Sequence, residues 1–306
     1  MSLKILFMGT PEFSVPILKS IYKTKHKILT VYTQPPTKKL RGQKIVESPV
    51  HKVAKELKIN TRYPSNINLN EELNFIKNLK PDVVIVAAYG QIISEKLLKI
   101  LENNFINVHA SLLPRWRGAA PIQRSIMEMD EVTGVTIMKI VTKLDAGPYA
   151  LQKKVKIEES TTQEELSKRL SEVGAKLIVE FLDMFESRNI NFKDQDQSKV
   201  TYAKKILKTE SEIKWNIPAK NLSAKINGLS PFPGAWFRFK KDRIKILKAK
   251  EVELNGKIGE VLNDDLTVGC LKNAIKILRL QKEGRKAISN EQFLSGNSIK
   301  KGEFLN

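Results

Sequence analysis

Disulfide chemistry is excluded at the outset. The chain of 306 residues has one cysteine, Cys270, so no internal bridge can form, and this usage fits a reducing compartment. Cys270 lies in an apolar stretch, residues 266–271, where a core thiol is the expected role rather than a nucleophile. Histidine is nearly as scarce, with three in all. These few residues give no zinc-type ligand spacing, and no metal is expected. No apolar run approaches the roughly 18 residues that a membrane span needs. The opening MSLKILFMG runs straight into a turn, without the apolar region and small-residue cleavage site of a signal peptide. The expectation is a soluble cytoplasmic protein. Acidic residues are also under-represented: 33 Asp and Glu against 53 Lys and Arg leave a net charge of +20. Such an excess bears on partners rather than on fold. It favours a polyanion such as nucleic acid or an acidic membrane surface; a lysine-rich solvated surface set by genome composition is the bland alternative.

What is present is a β-α rhythm in the first half. Residues 3–8 read as a strand closed by Gly9, followed by a helix over about 11–22 and a strand over 27–33. Ser48 and Pro49 read as the N-cap and first position of a helix to about residue 57. Helices over 70–79 and 95–102 flank residues 82–88 (DVVIVAA), whose apolar run is that of a central parallel strand buried on both faces. Residues 105–109 form the next strand. The alternation predicts an α/β domain with a mostly parallel, helix-covered sheet. Strands over 134–141 and 150–157 surround a Gly147-Pro148 turn. A long helix over 162–187 opens with a Thr162/Glu165 capping box. Its stripe of Leu166, Leu170, Val173, Leu177, Phe181 and Phe185 is core. Residues 189–198 (NINFKDQDQS) then read as a linker. Beyond residue 206, short alternating segments over 235–239, 244–247, 259–262, 266–270 and 274–280 predict a small β-barrel.

The least generic stretch is FINVHASLLPRWRGAAPIQ, residues 105–123. Asn107 and His109 are two apart on a strand and share a face, at the carboxyl end where open α/β sheets bind ligands. A carboxamide offers a fixed donor to a developing oxyanion, and an imidazole donates a second hydrogen bond or shuttles a proton near neutral pH. Taken alone, the pair reads equally well as a structurally satisfied strand end. Asp145, in the loop KLDAGP after the 134–141 strand, adds a carboxylate. If that strand neighbours the Asn107 strand, Asp145 lies at the same sheet edge and orients the ring. The plain alternative is a turn Asp accepting backbone hydrogen bonds; the three residues together favour a functional site. Gly9-Thr10-Pro11 is not G-x-G-x-x-G and reads as a simple turn, which counts against a dinucleotide enzyme. The basic residues 37–44 (TKKLRGQK) read as a loop that is either phosphate-binding or merely charged. Residues 230–237 (SPFPGAWF) set Trp236 and Phe237 beside Arg238, Lys240, Lys241 and Arg243, which suits a nucleic-acid face, with at least one aromatic expected in the core.

Taken jointly, these motifs carry a resemblance. The run Asn107-Val108-His109-Ala110-Ser111-Leu112-Leu113-Pro114, with Arg117-Gly118-Ala119-Ala120-Pro121-Ile122, closely resembles the methionyl-tRNA formyltransferase family. So do Phe7-Met8-Gly9-Thr10-Pro11-Glu12-Phe13, Ala87-Ala88-Tyr89-Gly90, Thr133 to Met138, Leu144-Asp145-Ala146-Gly147, Tyr202-Ala203, Lys205, Ile213, Trp215 and Pro231 to Ala235. The resemblance implies a Rossmann-like formyltransferase domain over 1–188, a linker over 189–205 and an OB-like tRNA-binding barrel over 206–306. It implies 10-formyltetrahydrofolate as co-substrate, methionyl-initiator tRNA as acceptor, no membrane partner and a monomer. By resemblance Asn107, His109 and Asp145 are catalytic. Ser111, Leu112, Leu113 and Pro114, with Ala88, Tyr89 and Gly90, contact folate. Lys38, Lys39, Arg41 and Lys44 approach the tRNA. The chain departs from the family pattern at Leu40 and Gln43, where Gly and Lys are more usual, and at Lys143, where glycine is. Two other readings stay open at this point. A small-amine acceptor needs the Asn-His-Asp core but not the basic barrel, and an RNA-binding module with a dead site needs the reverse.

Overall fold

The five residues VVIVA, Val83–Ala87, set the frame of the first half. They are buried along their whole length in the computed structural model, which describes residues 2–39, 44–101, 104–296 and 299–305. In chain order the elements are β1 (Lys4–Gly9), α1 (Ser14–Tyr22), β2 (Lys27–Tyr32), β3 (Thr37–Lys39), β4 (Lys44–Val46), α2 (Pro49–Glu56), β5 (Thr61–Arg62), α3 (Asn70–Leu79), β6 (Val83–Ala87), α4 (Glu95–Lys99), β7 (Phe105–His109) and β8 (Arg117–Gly118). There follow α5 (Pro121–Met127), β9 (Val132–Lys139), β10 (Tyr149–Lys156), α6 (Gln163–Glu186), β11 (Tyr202–Ala203), α7 (Ala219–Gly228), β12 (Ala235–Phe239), β13 (Asp242–Val252), β14 (Thr267–Gly269), β15 (Ala274–Lys282), β16 (Ile288–Ser289) and α8 (Asn290–Ser295). The described residues divide into two compact units. One spans Met1–Gly118, Gly134–Val155 and Ser167–Tyr202; the other spans Ala119–Thr133, Lys156–Leu166 and Ala203–Asn306.

The first unit is built on a seven-stranded sheet in the order β10-β9-β7-β6-β1-β2-β5. The central pairs are parallel, and β9 joins β7 antiparallel. The chain winds outward from β1 to β2 and β5, then returns to the other side of β1 as β6. Ligand crevices form at such a reversal, beyond the carboxyl ends of the strands. Gly9 ends β1 there. A Cβ at residue 9 would stand 2.8 Å from both the Phe7 ring and Ser14 Cβ and 3.1 Å from the Ala87 oxygen, so glycine alone permits this close approach. Val86 lies opposite Asn107, so the segments leaving β6 and β7 emerge side by side.

Local signals are realised where they are strong. Ser48 caps α2, accepting from the His51 amide at 3.0 Å, with Pro49 next. Thr162 and Glu165 exchange their capping bonds at 2.8 and 3.3 Å. The first helix starts at Ser14 rather than 11, after a turn. The fourth ends at Lys99, short of residue 102, which lies outside the described residues. The basic stretch expected as a loop is in part a hairpin: β3 pairs antiparallel with β4, Thr37 opposite Val46. Near the sheet edge, buried Glu72 of α3 accepts from the Tyr32 hydroxyl at 2.7 Å and from Arg62 at 2.8 and 2.9 Å. Burial pushes its carboxyl up, but the Arg62 and Tyr32 hydrogen bonds and the Arg62 charge outweigh that and hold it below the usual carboxylate range.

In the second unit, β12-β13-β15-β14 form an antiparallel sheet with β16 on β15. Register shifts on either side of Lys248 bulge β13, which sharpens its twist and curls the sheet into a half-barrel. Asn227 of α7 fills the gap in the ladder. Its amide donates to the Ala249 oxygen at 2.9 Å, and its carbonyl accepts from the Ala249 amide at 3.1 Å. Leu222 and Ile226 of the same helix pack on Phe237, Ile244, Ile246, Ile275 and Ile277. The segment 259–262, expected as a strand, makes only isolated bridges, Val261 to Val268 and Glu260 to Phe304. Gly259 there takes φ +78°, which breaks the extended geometry. Cys270 is core as expected, its thiol pushed up to about 11 by burial.

Candidate active site

β7 presents Asn107 and His109 at its carboxyl end. The Asn107 carboxamide is half-buried, and no side-chain hydrogen bond within the described residues uses it. His109 is 5% exposed, with Nε2 3.0 Å from the Trp116 carbonyl. A carbonyl only accepts, so Nε2 carries the proton and Nδ1 is the open ring nitrogen. Nδ1 faces Asp145 Oδ2 at 3.8 Å, too long for a direct hydrogen bond. A proton arriving on Nδ1 converts the contact into an ion pair. Asp145 Oδ2 is itself fixed by the Gly118 amide, which donates at 2.8 Å.

Asp145 therefore reaches His109, which shares a strand face with Asn107, but not by the route that strand adjacency implies. β9 is indeed the neighbour of β7, yet it runs antiparallel, with Ile106 opposite Lys139 and His109 opposite Thr136. The end of β9 lies beside the start of β7. The loop over 140–148 has to double back to carry Asp145 to His109, and Asp145 takes φ +45° in doing so. Left-handed backbone of this kind is tolerated by Asp better than by most residues. Gly147 makes the return possible, since a Cβ there would lie 2.0 Å from the Lys139 oxygen.

The segments leaving β6 and β7 emerge side by side at this end of the sheet. Ala88 and Gly90 are exposed at φ +47° and +90°, and Tyr89 is buried between them. The Tyr89 carbonyl accepts from Thr10 Oγ1 at 2.7 Å, and Thr10 Oγ1 also accepts from the Gln34 amide at 3.2 Å. The Gly9-Thr10-Pro11 turn thus ties the β1 end to the β6 end. Ser111 is buried, its hydroxyl donating to the Arg115 carbonyl at 2.7 Å. Leu112 and Pro114 are partly exposed and Leu113 buried. Thr136 donates to the Ser111 carbonyl at 2.6 Å, and Gln152 donates to the Leu113 carbonyl at 2.8 Å. Thr10 and Thr136 stand in runs that carry the resemblance but received no role there, and Gln152 lies in none of those runs; their partners reveal their work.

The residues expected at RNA are placed unevenly. Lys38, Lys39 and Lys44 lie on the backbone of the β3–β4 hairpin, while Arg41 falls outside the described residues. In the second unit Phe237 is core, as expected for one of the two aromatics. Trp236 is half-buried, with the Arg243 and Arg238 guanidinium carbons 4.2 and 5.7 Å from its ring centre. Among the described residues no helix is long and apolar enough to cross a membrane.

A doubly wound sheet that places an amide, an imidazole and a carboxylate at its carboxyl edge fits an enzyme of the group-transfer class, with donors suited to charge developing at a carbonyl carbon. Residues 3–182 match the formyl transferase family, and residues 205–298 match the formyl transferase C-terminal domain. A methionyl-tRNA formyltransferase of Pelagibacter ubique is 48% identical over 99% of this chain and 98% of its own. One of Rhizobium etli is 44% identical over the full length of both. The chain belongs to the methionyl-tRNA formyltransferase family. Its fold is shared by HypX from Aquifex aeolicus, solved in complex with tetrahydrofolic acid, with a TM-score of 0.69 at 16% identity over 100% of this chain and 51% of that one.

Proposed function

We propose that the chain transfers a formyl group from 10-formyltetrahydrofolate to the amino group of methionine esterified to initiator tRNA, giving N-formylmethionyl-tRNA for translation initiation. The observation that carries this reading is the Asn107 carboxamide, without a side-chain hydrogen bond among the described residues, on the same strand as a histidine whose open Nδ1 faces Asp145 at 3.8 Å. The donor residues suit a folate. Backbone groups at Ala88 to Gly90, and the Leu112, Leu113 and Pro114 segment with its apolar side chains, offer hydrogen bonds and a flat apolar wall to a heterocycle. Ser111 contributes by shaping that segment. When bound, 10-formyltetrahydrofolate supplies an activated formyl group.

The residues of the chain then act as follows. A methionyl α-amino group titrates near about 7.7 when unperturbed, so a useful neutral fraction exists at pH 7. The Asn107 amide donates to the formyl oxygen as negative charge develops on it. The amine nitrogen bonds to the formyl carbon. The proton it loses is taken up at His109 Nδ1, where Asp145 balances the charge and the N–H donates to the same oxygen. That proton passes to folate N10 as the bond from N10 to the formyl carbon breaks. The Trp116 carbonyl keeps the ring oriented throughout. Residues 1–188 serve as the catalytic domain, 189–205 as the linker and 206–306 as the domain that holds tRNA, with Lys38, Lys39, Arg41 and Lys44 as the basic contacts to the acceptor stem. The protein works in the cytoplasm as a monomer, and its sedimentation mass tests the latter.

The deciding experiment combines the protein, 10-formyltetrahydrofolate and methionyl-initiator tRNA. Formylmethionine released from the tRNA is the expected product. A protein that binds the tRNA and leaves the amine unmodified is an RNA-binding module, and the proposal fails.

A further inference from the structure

The left-handed turn that brings Asp145 to His109 is held by a side chain far away in sequence. Gln195 is 5% exposed and belongs to the polar stretch after α6. Its Nε2 donates to the Asp145 carbonyl at 2.8 Å and to the Gly147 carbonyl at 2.7 Å. Both carbonyls belong to the loop that doubles back. The other end of the same amide, Oε1, accepts from Arg117 Nε at 3.0 Å. Arg117 is fully buried. Among the described residues no carboxylate pairs with it, and its Nη2 is buried without a partner.

A buried cation without a counter-ion is costly to keep, so its place in the network demands a reason. Arg117 sits between the two backbone groups that define the trio. Trp116, before it, supplies the carbonyl that accepts from His109. Gly118, after it, supplies the amide that donates to Asp145. The same segment is pinned from the linker side. The Thr201 hydroxyl accepts from the Trp116 amide at 2.9 Å, and the Thr201 carbonyl accepts from the Arg117 amide at 2.9 Å. One glutamine thus joins the segment 116–118, whose Trp116 carbonyl accepts from the histidine, to the loop that holds the carboxylate.

We infer that Gln195, locked in place by Arg117, is a positioning residue that keeps Asp145 facing His109 Nδ1. The inference rests on the formyl-transfer reading of the site. Gln195 touches none of the three catalytic side chains; it acts by fixing the carbonyls at residues 145 and 147.

Two variants separate the halves of the amide. Gln195→Leu removes both donor and acceptor. Gln195→Glu keeps an acceptor for Arg117, indeed gives it a counter-ion, but sets a carboxylate against two carbonyls. The latter variant therefore retains the fold if the former does not. Displacing a catalytic group by about 1 Å costs on the order of 100-fold in rate. Single-turnover formylation by either variant should fall by roughly 10- to 100-fold, while KM for 10-formyltetrahydrofolate and affinity for tRNA change by less than about threefold. In an Asp145→Asn background the same substitution should cost almost nothing further, since residues acting as one unit are not additive. A glutamine that merely stabilises the fold would weaken both backgrounds alike and lower tRNA affinity with the rate. Wild-type rates in Gln195→Glu, or full additivity with Asp145→Asn, would overturn the inference while formylation by the wild-type protein still stands. Absence of formylation by the wild-type protein would instead refute the reaction and the inference with it.

Discussion

At the scale of single residues, the site depends on what each polar atom is already committed to. His109 Nε2 is spent on the Trp116 carbonyl at 3.0 Å, leaving Nδ1 for the proposed chemistry, and among the described residues no side-chain hydrogen bond uses the Asn107 amide. Asn107→Ala should therefore cut turnover by about 100- to 1,000-fold, the usual cost of one oxyanion donor, with tRNA affinity nearly intact. Asp145→Ala should lower turnover sharply as well, because the ring then loses the charge that faces Nδ1. Steady-state formylation paired with filter binding distinguishes the two effects, and a variant with normal turnover removes its residue from the mechanism. Asn107 and His109 were legible in the sequence as an amide and a ring on one strand face, and as a candidate site only once Asp145 was added. Asp145 was legible as a residue but not as a position. Its loop reverses across an antiparallel neighbour, and that depends on Gly147 and Gln195 rather than on the strand preceding it.

At the scale of elements, two contacts decide whether the sheet is a platform for the site. Gly9→Ala would force a Cβ to within 2.8 Å of Phe7 and Ser14 atoms. Overpacking of this kind costs about 1–3 kcal/mol, read as a lowered denaturant midpoint, and it disturbs the turn that carries Thr10 to the Tyr89 carbonyl. The second contact is the Tyr32–Glu72–Arg62 cluster, which ties α3 to β2 and β5. Glu72→Gln should cost roughly 1.5–3 kcal/mol at pH 7, the range for hydrogen bonds to a charged group. The folded carboxyl titrates below its ordinary value of 4.5. Its contribution is therefore complete above that pH and is lost as pH falls through the depressed value. Denaturant midpoints of the wild-type and Glu72→Gln proteins should accordingly differ at pH 7 and converge in acid. A gap independent of pH would mean the carboxylate's charge is not what stabilises α3. The helices α5, α7 and α8 were not read from the sequence. Each is short, and the apolar positions of α7, Leu222 and Ile226, gain meaning only against the half-barrel sheet they cover.

For the whole molecule, the net charge of +20 makes a kinetic and thermodynamic claim about a polyanionic substrate. Affinity for tRNA should fall linearly in log–log form with salt, by on the order of 1,000-fold between 50 and 200 mM if about six phosphates are neutralised. A flat response would make the lysines surface decoration and leave recognition to shape alone.

The sequence by itself determined the β-α order, the buried central strand, the helix caps and the identity of the polar residues at the strand end. These follow from periodicity and from side-chain chemistry within a few residues, which local sequence records. Only the tertiary structure decided which ring nitrogen of His109 is open, how Asp145 reaches it, and that a glutamine in the stretch read as a linker braces the turn. Each of these is a hydrogen bond between segments far apart in the chain, and long-range pairing leaves no local pattern from which to read it.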